Sequence, residues 1–301
     1  MDLLESQIYR RYQSLIAESD FLRPVAGLSV PVPRKVFLSD VLDDYDAFCF
    51  DGYGTLYNRG TFVYPGALEW FRKLREARKC LRLVTNAASD VDSVLAADAA
   101  KRGFPFTEEE TISSGSLLAN LVASLRKQGN WRLTEMFYIG RETGKNVLAA
   151  CGVRAVEEPS EPVVAVSSST ATEEMFEHAV EILSRAGGLL LVLNSDAWAP
   201  NIDGSRSPVS GALSERLRQR SNAETKYLGK PFPAVWKRVR ETLPSGARVL
   251  MIGDTLGTDV FGARVAGFDS ALVVGRNVPE ADLEKDEVAL GVRPNYYLIP
   301  G

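Results

Sequence analysis

Four stretches hold side chains able to do chemistry at the ends of apolar runs. In "FCFDGYGTLY", residues 48 to 57, the run climbs to Asp51, and Gly52 and Gly54 then bracket Tyr53. Thr85 and Asn86 close "CLRLVTN", Lys230 stands in "LGKPFP", and Asp254 and Asp259 belong to "MIGDTLGTD". An aspartate is ionised at neutral pH and needs no base to attack phosphorus. As a nucleophile it divides one hard displacement into two easier ones. Two carboxylates in one crevice repel unless a cation lies between them, and Mg²⁺ favours hard oxygens, water and phosphate. A threonine and a lysine can hold the transferring oxygens and offset growing charge. Gly52 and Gly54 would let backbone N–H groups approach an anion. Singly, each signal has an ordinary reading: a loop aspartate, a turn at "GKP", a helix N-cap at Thr255 or Thr258. Their shared position at strand ends, where an open α/β sheet keeps its ligand crevice, points to one site.

The elements that must position these residues alternate between strand-like runs and helical periodicity, which predicts an α/β fold with a parallel sheet and helices on its faces. "DAFCF" reads as a strand, and "GALEWFRKLREA" as a helix entered through Pro65. "CLRLV", "TISS", "RVLMIGD" and "SALVVG" read as further strands, ending with a terminal "NYYLI". "TEEET" carries Thr107 and Glu110 at capping-box spacing and is equally readable as an acidic loop. A second set of strands and helices runs from roughly 130 to 225. The division expected is an N-terminal helix and connector at 1–40, a core at 41–128 and 225–301, and an inserted α/β domain at 129–224. Leu4, Ile8, Tyr12, Leu15 and Ile16 share one face of the N-terminal helix, and "RPVAGLSVPVPRK" reads as an extended connector.

Bulk properties narrow the partners. With 301 residues and a net charge of -4, the chain has no polyelectrolyte signature, so nucleic acid is not an expected partner. No apolar run approaches the ~18 residues of a membrane span, and the acidic, amphipathic start is unlike a signal peptide. Cys49, Cys80 and Cys151 show no paired spacing and read as reduced cysteines of a cytoplasmic protein. The single histidine, His178, lies on the polar side of a helical pattern, away from any Ser-His-Asp arrangement. "GRETGKN" at 140 to 146 fails the phosphate-loop pattern, with three residues between its glycines and Asn146 at its end. Trp198, just beyond Asp196, could stack on a ring-bearing substrate.

"DGYGTL", "LVTNAAS", "LGKPFP" and "MIGDTLGTDVFGA" resemble, in order, the four motifs of the haloacid dehalogenase superfamily. "YPGALEWFRKLREA", "LVLNSDAW" and "SPVSGAL" further resemble its NagD-like class IIA branch, and the likeness runs from about Tyr45 to Ile299. It implies a Rossmann-like core with an α/β cap of the C2 type inserted between the second and third motifs, whose closure would complete the site. It also implies a hydrolase of a small phosphorylated metabolite, with Asp51 as nucleophile, Thr85 binding the phosphoryl group and Lys230 neutralising it. Mg²⁺ would be held by Asp254, the Asp51 carboxylate and the Tyr53 carbonyl, while Asp259 ligates or orients. Asn86 and Asp196 would face the substrate. The N-terminal helix has no counterpart in the resemblance; covering the core and forming a homodimer are both open for it.

One position departs from the family. Its phosphatases usually carry a second aspartate two residues after the nucleophile, which protonates the leaving group and then activates water; here Tyr53 stands there. A phenol of pKa ~10 is a poor base at neutral pH, and the loss could cost roughly 10²–10⁴-fold. Three readings follow. The first is hydrolysis of substrates with good leaving groups, such as acyl phosphates, pyrophosphate or P–N compounds. The second is a 2-haloacid dehalogenase, which "D-x-Y-G-T-L" resembles. The third is a weakly active or inactive module that binds a phosphorylated ligand. The paired acids of "GDTLGTD" and the short span between Leu56 and Gly66 weigh against the dehalogenase.

Overall fold

The structure is a computed structural model that describes residues 1–18, 32–129 and 131–299. In chain order it comprises α1 (Leu3–Ala17), β1 (Arg34–Val36), β2 (Ala47–Phe50), α2 (Ala67–Glu76), β3 (Cys80–Thr85), α3 (Asp92–Lys101), β4 (Thr111–Ser113) and α4 (Leu118–Lys127). Then follow β5 (Glu135–Ile139), α5 (Gly144–Ala150), β6 (Arg154–Ala155), β7 (Val163–Val166), α6 (Glu173–Leu183), β8 (Leu189–Val192), β9 (Trp198–Pro200), β10 (Arg206–Pro208), α7 (Ser210–Ser221) and β11 (Glu224–Tyr227). The chain ends with α8 (Pro233–Glu241), β12 (Val249–Gly253), α9 (Phe261–Ala266), β13 (Asp269–Val273), α10 (Leu283–Leu290) and β14 (Tyr296–Leu298). Most of the expected Pro-rich connector lies outside the described residues.

The large sheet has the order β1-β14-β13-β12-β2-β3-β4, with every pair parallel. Residues Ala47–Phe50 are fully buried, as expected of a central parallel strand covered on both faces. From β2 the chain winds outward through β3 and β4, and later returns through β12 to wind outward on the other side. The carboxyl ends of β2 and β12 are therefore the topological switch point of the sheet, where a ligand crevice opens. Helix α2 buries Ala67, Trp70, Phe71 and Leu74, spacings that keep one helical face on the sheet.

The inserted segment forms a second all-parallel sheet, β11-β8-β7-β5-β6, plus the β9-β10 hairpin. An apolar cluster runs without a break from Cys49 and Met251 of the large sheet to Val163 and Leu191 of the small one. The loop from Leu56 to the start of α2 is a tight turn bridged at Tyr57 and Val63, with no inserted domain after the first motif.

Helix α1 starts where Asp2 accepts hydrogen bonds from Leu4 N and Glu5 N. Its buried residues are Glu5, Ile8, Tyr9, Tyr12 and Ile16, whereas Leu4 and Leu15 of the expected face are only half-buried. The apolar periodicity thus located the face but missed Glu5 and Tyr9, which are buried through specific partners. At "TEEET" the reciprocal capping bonds do form, Glu110 N to Thr107 Oγ1 at 3.3 Å and Thr107 N to Glu110 Oε2 at 3.1 Å. They close a turn before β4 and start no helix.

Candidate active site

Parallel register sets the first pair. Phe50 stands opposite Ile252, and Asp51 N donates to Ile252 O at 2.9 Å, so Asp51 and Asp254 leave adjacent strands side by side. Lys230, brought in on the loop before α8, places Nζ 2.6 Å from Asp51 Oδ1 and 2.8 Å from Asp259 Oδ1. The other oxygen of Asp259 accepts from the backbone N–H groups of Asp254 at 3.1 Å and Thr255 at 3.0 Å. Asp259 is thereby committed to orienting the turn and the lysine. Thr255 Oγ1 donates to Asp254 Oδ1 at 3.1 Å, and Asn277 Nδ2 donates to Thr255 Oγ1 at 2.7 Å.

Asp254 Oδ2 is buried and has no hydrogen-bond partner among the described residues. A buried anionic oxygen in that condition is costly unless a cation meets it. Carboxylate oxygens of Asp51, Asp254 and Asp259 lie within 4.8 Å of one another, a spacing compatible with one small divalent ion. Burial raises the Asp51 carboxyl to about 7, with Lys230 opposing and Asp259 and Asp196 adding to the rise. Asp254 is pushed far above the usual range by burial and then by Asp51 and Asp259. Burial works against the charge on Lys230, but Asp259, Asp51 and Asp196 outweigh it and hold its ammonium more firmly than in water. Several carboxylates therefore face one lysine, and the charge deficit is what Mg²⁺ would fill. The residues fit a magnesium site.

The glycines of the first motif serve packing. A Cβ on Gly54 would stand 2.0 Å from Asp254 Oδ2, and its φ of +99° lies in the left-handed region. The Gly54 N–H, expected to approach an anion, instead donates to Tyr57 O at 2.9 Å. Gly52 makes room for Tyr57, whose hydroxyl would come within 2.7 Å of a Cβ there.

Thr85 ends β3 with its hydroxyl oxygen accepting from Ala87 N at 3.1 Å, which leaves the hydroxyl proton available to an incoming oxygen. Asn86, expected to face the substrate, is 1% exposed and fully engaged. Its Nδ2 donates to Asp196 Oδ1 at 2.9 Å, Lys230 O at 3.1 Å and Ser195 Oγ at 3.2 Å, and its Oδ1 accepts from Lys230 N at 2.7 Å. It is a bracket joining the second motif, the lysine loop and the inserted domain. Asp196 itself lines the pocket, and burial followed by Asp259 raises its carboxyl to about 6 against the pull of Lys230.

These groups open into a cavity of about 190 Å³ bounded by the large-sheet loops and by Asp196, Trp198 and Pro200 of the insertion. Trp198 is thus at the pocket, as its place after Asp196 suggested. Arg59 and Arg141 reach the same cavity, one from the first-motif loop and one from the insertion. Arg59 and Asn277 carried no sequence signal, because each sits in a loop without periodicity, and Arg141 lies in "GRETGKN", which fails the phosphate-loop pattern yet reaches the pocket. Tyr53 also lines the pocket, but its hydroxyl donates to Asp98 Oδ2 of α3 at 3.3 Å and its ring stands edge-on to Tyr57, centroids 5.1 Å apart. Burial, then Asp98, raises the phenol above its ordinary value. The side chain where a second aspartate would stand is directed elsewhere and holds its proton more tightly than a free tyrosine.

Comparison with known proteins agrees with this geometry. A family model described as haloacid dehalogenase-like hydrolase matches residues 48–154, and a second, HAD-hydrolase-like, matches residues 227–298. The chain is 29% identical to mouse (Mus musculus) chronophin over 275 residues, covering 88% of this chain and 94% of that one. A 4-nitrophenylphosphatase from Thermotoga maritima superposes with a TM-score of 0.69 at 25% identity, covering 86% of this chain and 95% of its own. A glycerol phosphate phosphatase from Mycobacterium tuberculosis, solved in complex with magnesium, gives 0.68 at 27% identity, covering 86% of this chain and 76% of its own. Shared motifs, fold and likeness along most of the chain lead to one statement: this protein belongs to the haloacid dehalogenase-like hydrolases and is a phosphatase of their NagD-like branch.

Proposed function

We propose that the protein is a Mg²⁺-dependent phosphatase of a small phosphorylated metabolite, working through an aspartyl-phosphate on Asp51 and favouring substrates with good leaving groups. The observation that carries the reading is the Asp51–Lys230 contact of 2.6 Å beside an Asp254 oxygen that no group among the described residues satisfies. Lys230 occupies one Asp51 oxygen and leaves the other for attack. As the Asp51 oxygen bonds to phosphorus, the bond to the leaving oxygen breaks and its electron pair departs with the leaving group. Lys230 and the Thr85 hydroxyl are placed to hold the phosphoryl oxygens while charge builds on them. When bound, Mg²⁺ would be held by Asp254, Asp51 and the Tyr53 carbonyl, oriented by Asp259, and would offset the charge on the phosphoryl group. Water then bonds to phosphorus, the bond from phosphorus to the Asp51 oxygen breaks with its electron pair returning to the Asp51 carboxylate, and the proton that water gives up passes to the departing phosphate or to solvent.

Protonating a basic leaving group in the first step and deprotonating water in the second are tasks that Tyr53 is badly placed to perform, since its hydroxyl is turned to Asp98. Leaving groups that depart without protonation are favoured for that reason. The reading assigns the inserted domain as the cap over this pocket, with Asp196 facing the substrate; its end lies at Tyr227 and not at the expected 224, because β11 pairs with β8 of the inserted sheet.

The test is a panel of alkyl and aryl phosphates, acyl phosphates, pyrophosphate and 2-haloacids, with Mg²⁺ and with chelator. Turnover of aryl or acyl phosphates that chelation abolishes is expected, and Asp51→Asn should lower it by about 10³-fold or more. Halide release that persists in chelator, or full activity in Asp51→Asn, would overturn the proposal.

A further inference from the structure

Helix α1 plays no part in that chemistry, yet it touches both halves of the site. On the core side Arg10 Nε and Nη2 donate to Ala289 O at 2.8 and 2.6 Å, and Gln13 Nε2 donates to Leu290 O at 3.0 Å, at the end of α10. On the other side Arg11 lies 3.9 Å from Glu215 of α7, and the Tyr12 ring packs edge-on to Tyr227 of β11 with centroids 5.0 Å apart.

Between these anchors Tyr9 is 1% exposed and covers Gly257, where a Cβ would stand 2.3 Å from its ring. Gly257 lies inside the turn from Asp254 to Asp259, so this glycine is the vacancy into which the ring fits. The Tyr9 hydroxyl accepts from Ala197 N at 3.3 Å, one residue beyond Asp196. A buried N–H left without that acceptor would lose a bond that water could not replace.

A second path starts at Glu5, 2% exposed, whose carboxylate takes Arg206 Nη2 of β10 at 2.5 Å. Arg206 Nε donates to Asn277 Oδ1 at 2.8 Å, Asn277 Nδ2 to Thr255 Oγ1 at 2.7 Å, and Thr255 Oγ1 to Asp254 Oδ1 at 3.1 Å. An unbroken series of hydrogen bonds thus joins α1 to a carboxylate of the proposed magnesium site.

We infer that α1 straps the Asp196 loop against the Asp254–Asp259 turn, and that Tyr9 and Glu5 are positioning residues for the phosphatase site. The kinetic consequence rests on the function proposed above; the positioning itself does not. Both loops depend on the helix for their separation, and a displacement of about 1 Å between reacting groups can cost on the order of 10²-fold in rate.

The test uses the whole chain. Tyr9→Phe keeps the ring over Gly257 and deletes only the acceptor, so folding should survive with a melting temperature within a few degrees of the parent. Without substrate, exchange of the Ala197 amide should accelerate about tenfold, and kcat/KM for an aryl phosphate should fall about tenfold. Glu5→Gln should weaken Mg²⁺ binding several-fold in calorimetry. Parental Ala197 exchange in Tyr9→Phe, kcat/KM within twofold of the parent, or parental Mg²⁺ affinity in Glu5→Gln with only a lowered melting temperature would each overturn the inference. Should the parent protein show no phosphatase activity, the function proposed above falls, and amide exchange with Mg²⁺ affinity still decides the role of α1.

Discussion

Replacing Tyr53 by aspartate restores the acid–base group that the first motif lacks, and the structure sets what the change should do. Tyr53→Asp removes a ring whose edge-on contact with Tyr57 has centroids 5.1 Å apart, and a hydrogen bond of 3.3 Å to Asp98. An aromatic pair contributes about 0.5–1.5 kcal/mol beyond its area, and the lost apolar burial adds on the order of 1 kcal/mol. The variant should therefore be about 2 kcal/mol less stable, a fall in melting temperature of roughly 4–8 °C. Asp98 keeps its partner in Arg102, 2.5 Å away, so the released carboxylate is not left alone. The kinetic gain depends on the leaving group. An alkyl phosphate, whose alkoxide needs a proton to depart, should be hydrolysed about 10²-fold faster, toward the lower end of what general acid–base catalysis contributes. An aryl phosphate gains little in the first step, because its phenolate leaves unaided. The assay is steady-state hydrolysis of a series of phosphates with graded leaving groups, in parent and variant, with saturating Mg²⁺. A flatter dependence of kcat/KM on leaving-group basicity is the expected signature. Equal change across the series, or no gain with alkyl phosphates in a folded variant, would refute the assignment of Tyr53 as the limiting residue.

Two further outcomes follow from buried and half-buried ion pairs. Lys230→Met removes the ammonium from between Asp51 and Asp259, so denaturant unfolding in chelator should show a loss of about 3–5 kcal/mol, partly recovered by Mg²⁺; a loss under about 1 kcal/mol would contradict the arrangement. Glu110 is held below its ordinary value of 4.5 because Arg75, at 2.6 and 2.5 Å, together with the Thr107 N–H, outweighs the effect of burial. A depressed folded-state value gives stability that is present above 4.5 and lost as pH falls below it, so Glu110→Gln should flatten the acid limb of a melting-temperature profile and cost about 1 kcal/mol at neutral pH.

The contrast between motif and partner runs through the whole molecule. Strand ends were legible because four-to-six-residue apolar runs bounded by polar residues have one economical home, a buried parallel sheet, and the chemistry then falls at its carboxyl edge. Asp51, Thr85, Asp254 and Asp259 could be read this way, and Lys230 from its loop before a helix. Asn86 could not: a polar residue after a strand looks like a substrate contact, and only its partners Asp196, Ser195 and Lys230 make it a bracket. Gly54 looked like an anion-binding amide, but the Asp254 side chain packed above it explains the glycine. Arg59, Arg141 and Asn277 reach the pocket from irregular loops, which leave no periodic trace.

By itself the sequence determined the order of the motifs, the alternation of strands and helices, and the absence of a carboxylate at position 53, because these depend on residue type and local spacing. Tertiary structure decided which way Tyr53 points, that Asp254 keeps an oxygen unsatisfied among the described residues, and that a helix nearly two hundred residues from Ala197 in the chain holds that residue's amide. Each of those depends on a group brought close from a distant part of the chain, and hydrogen bonding acts over ångströms in space without regard to separation along the sequence.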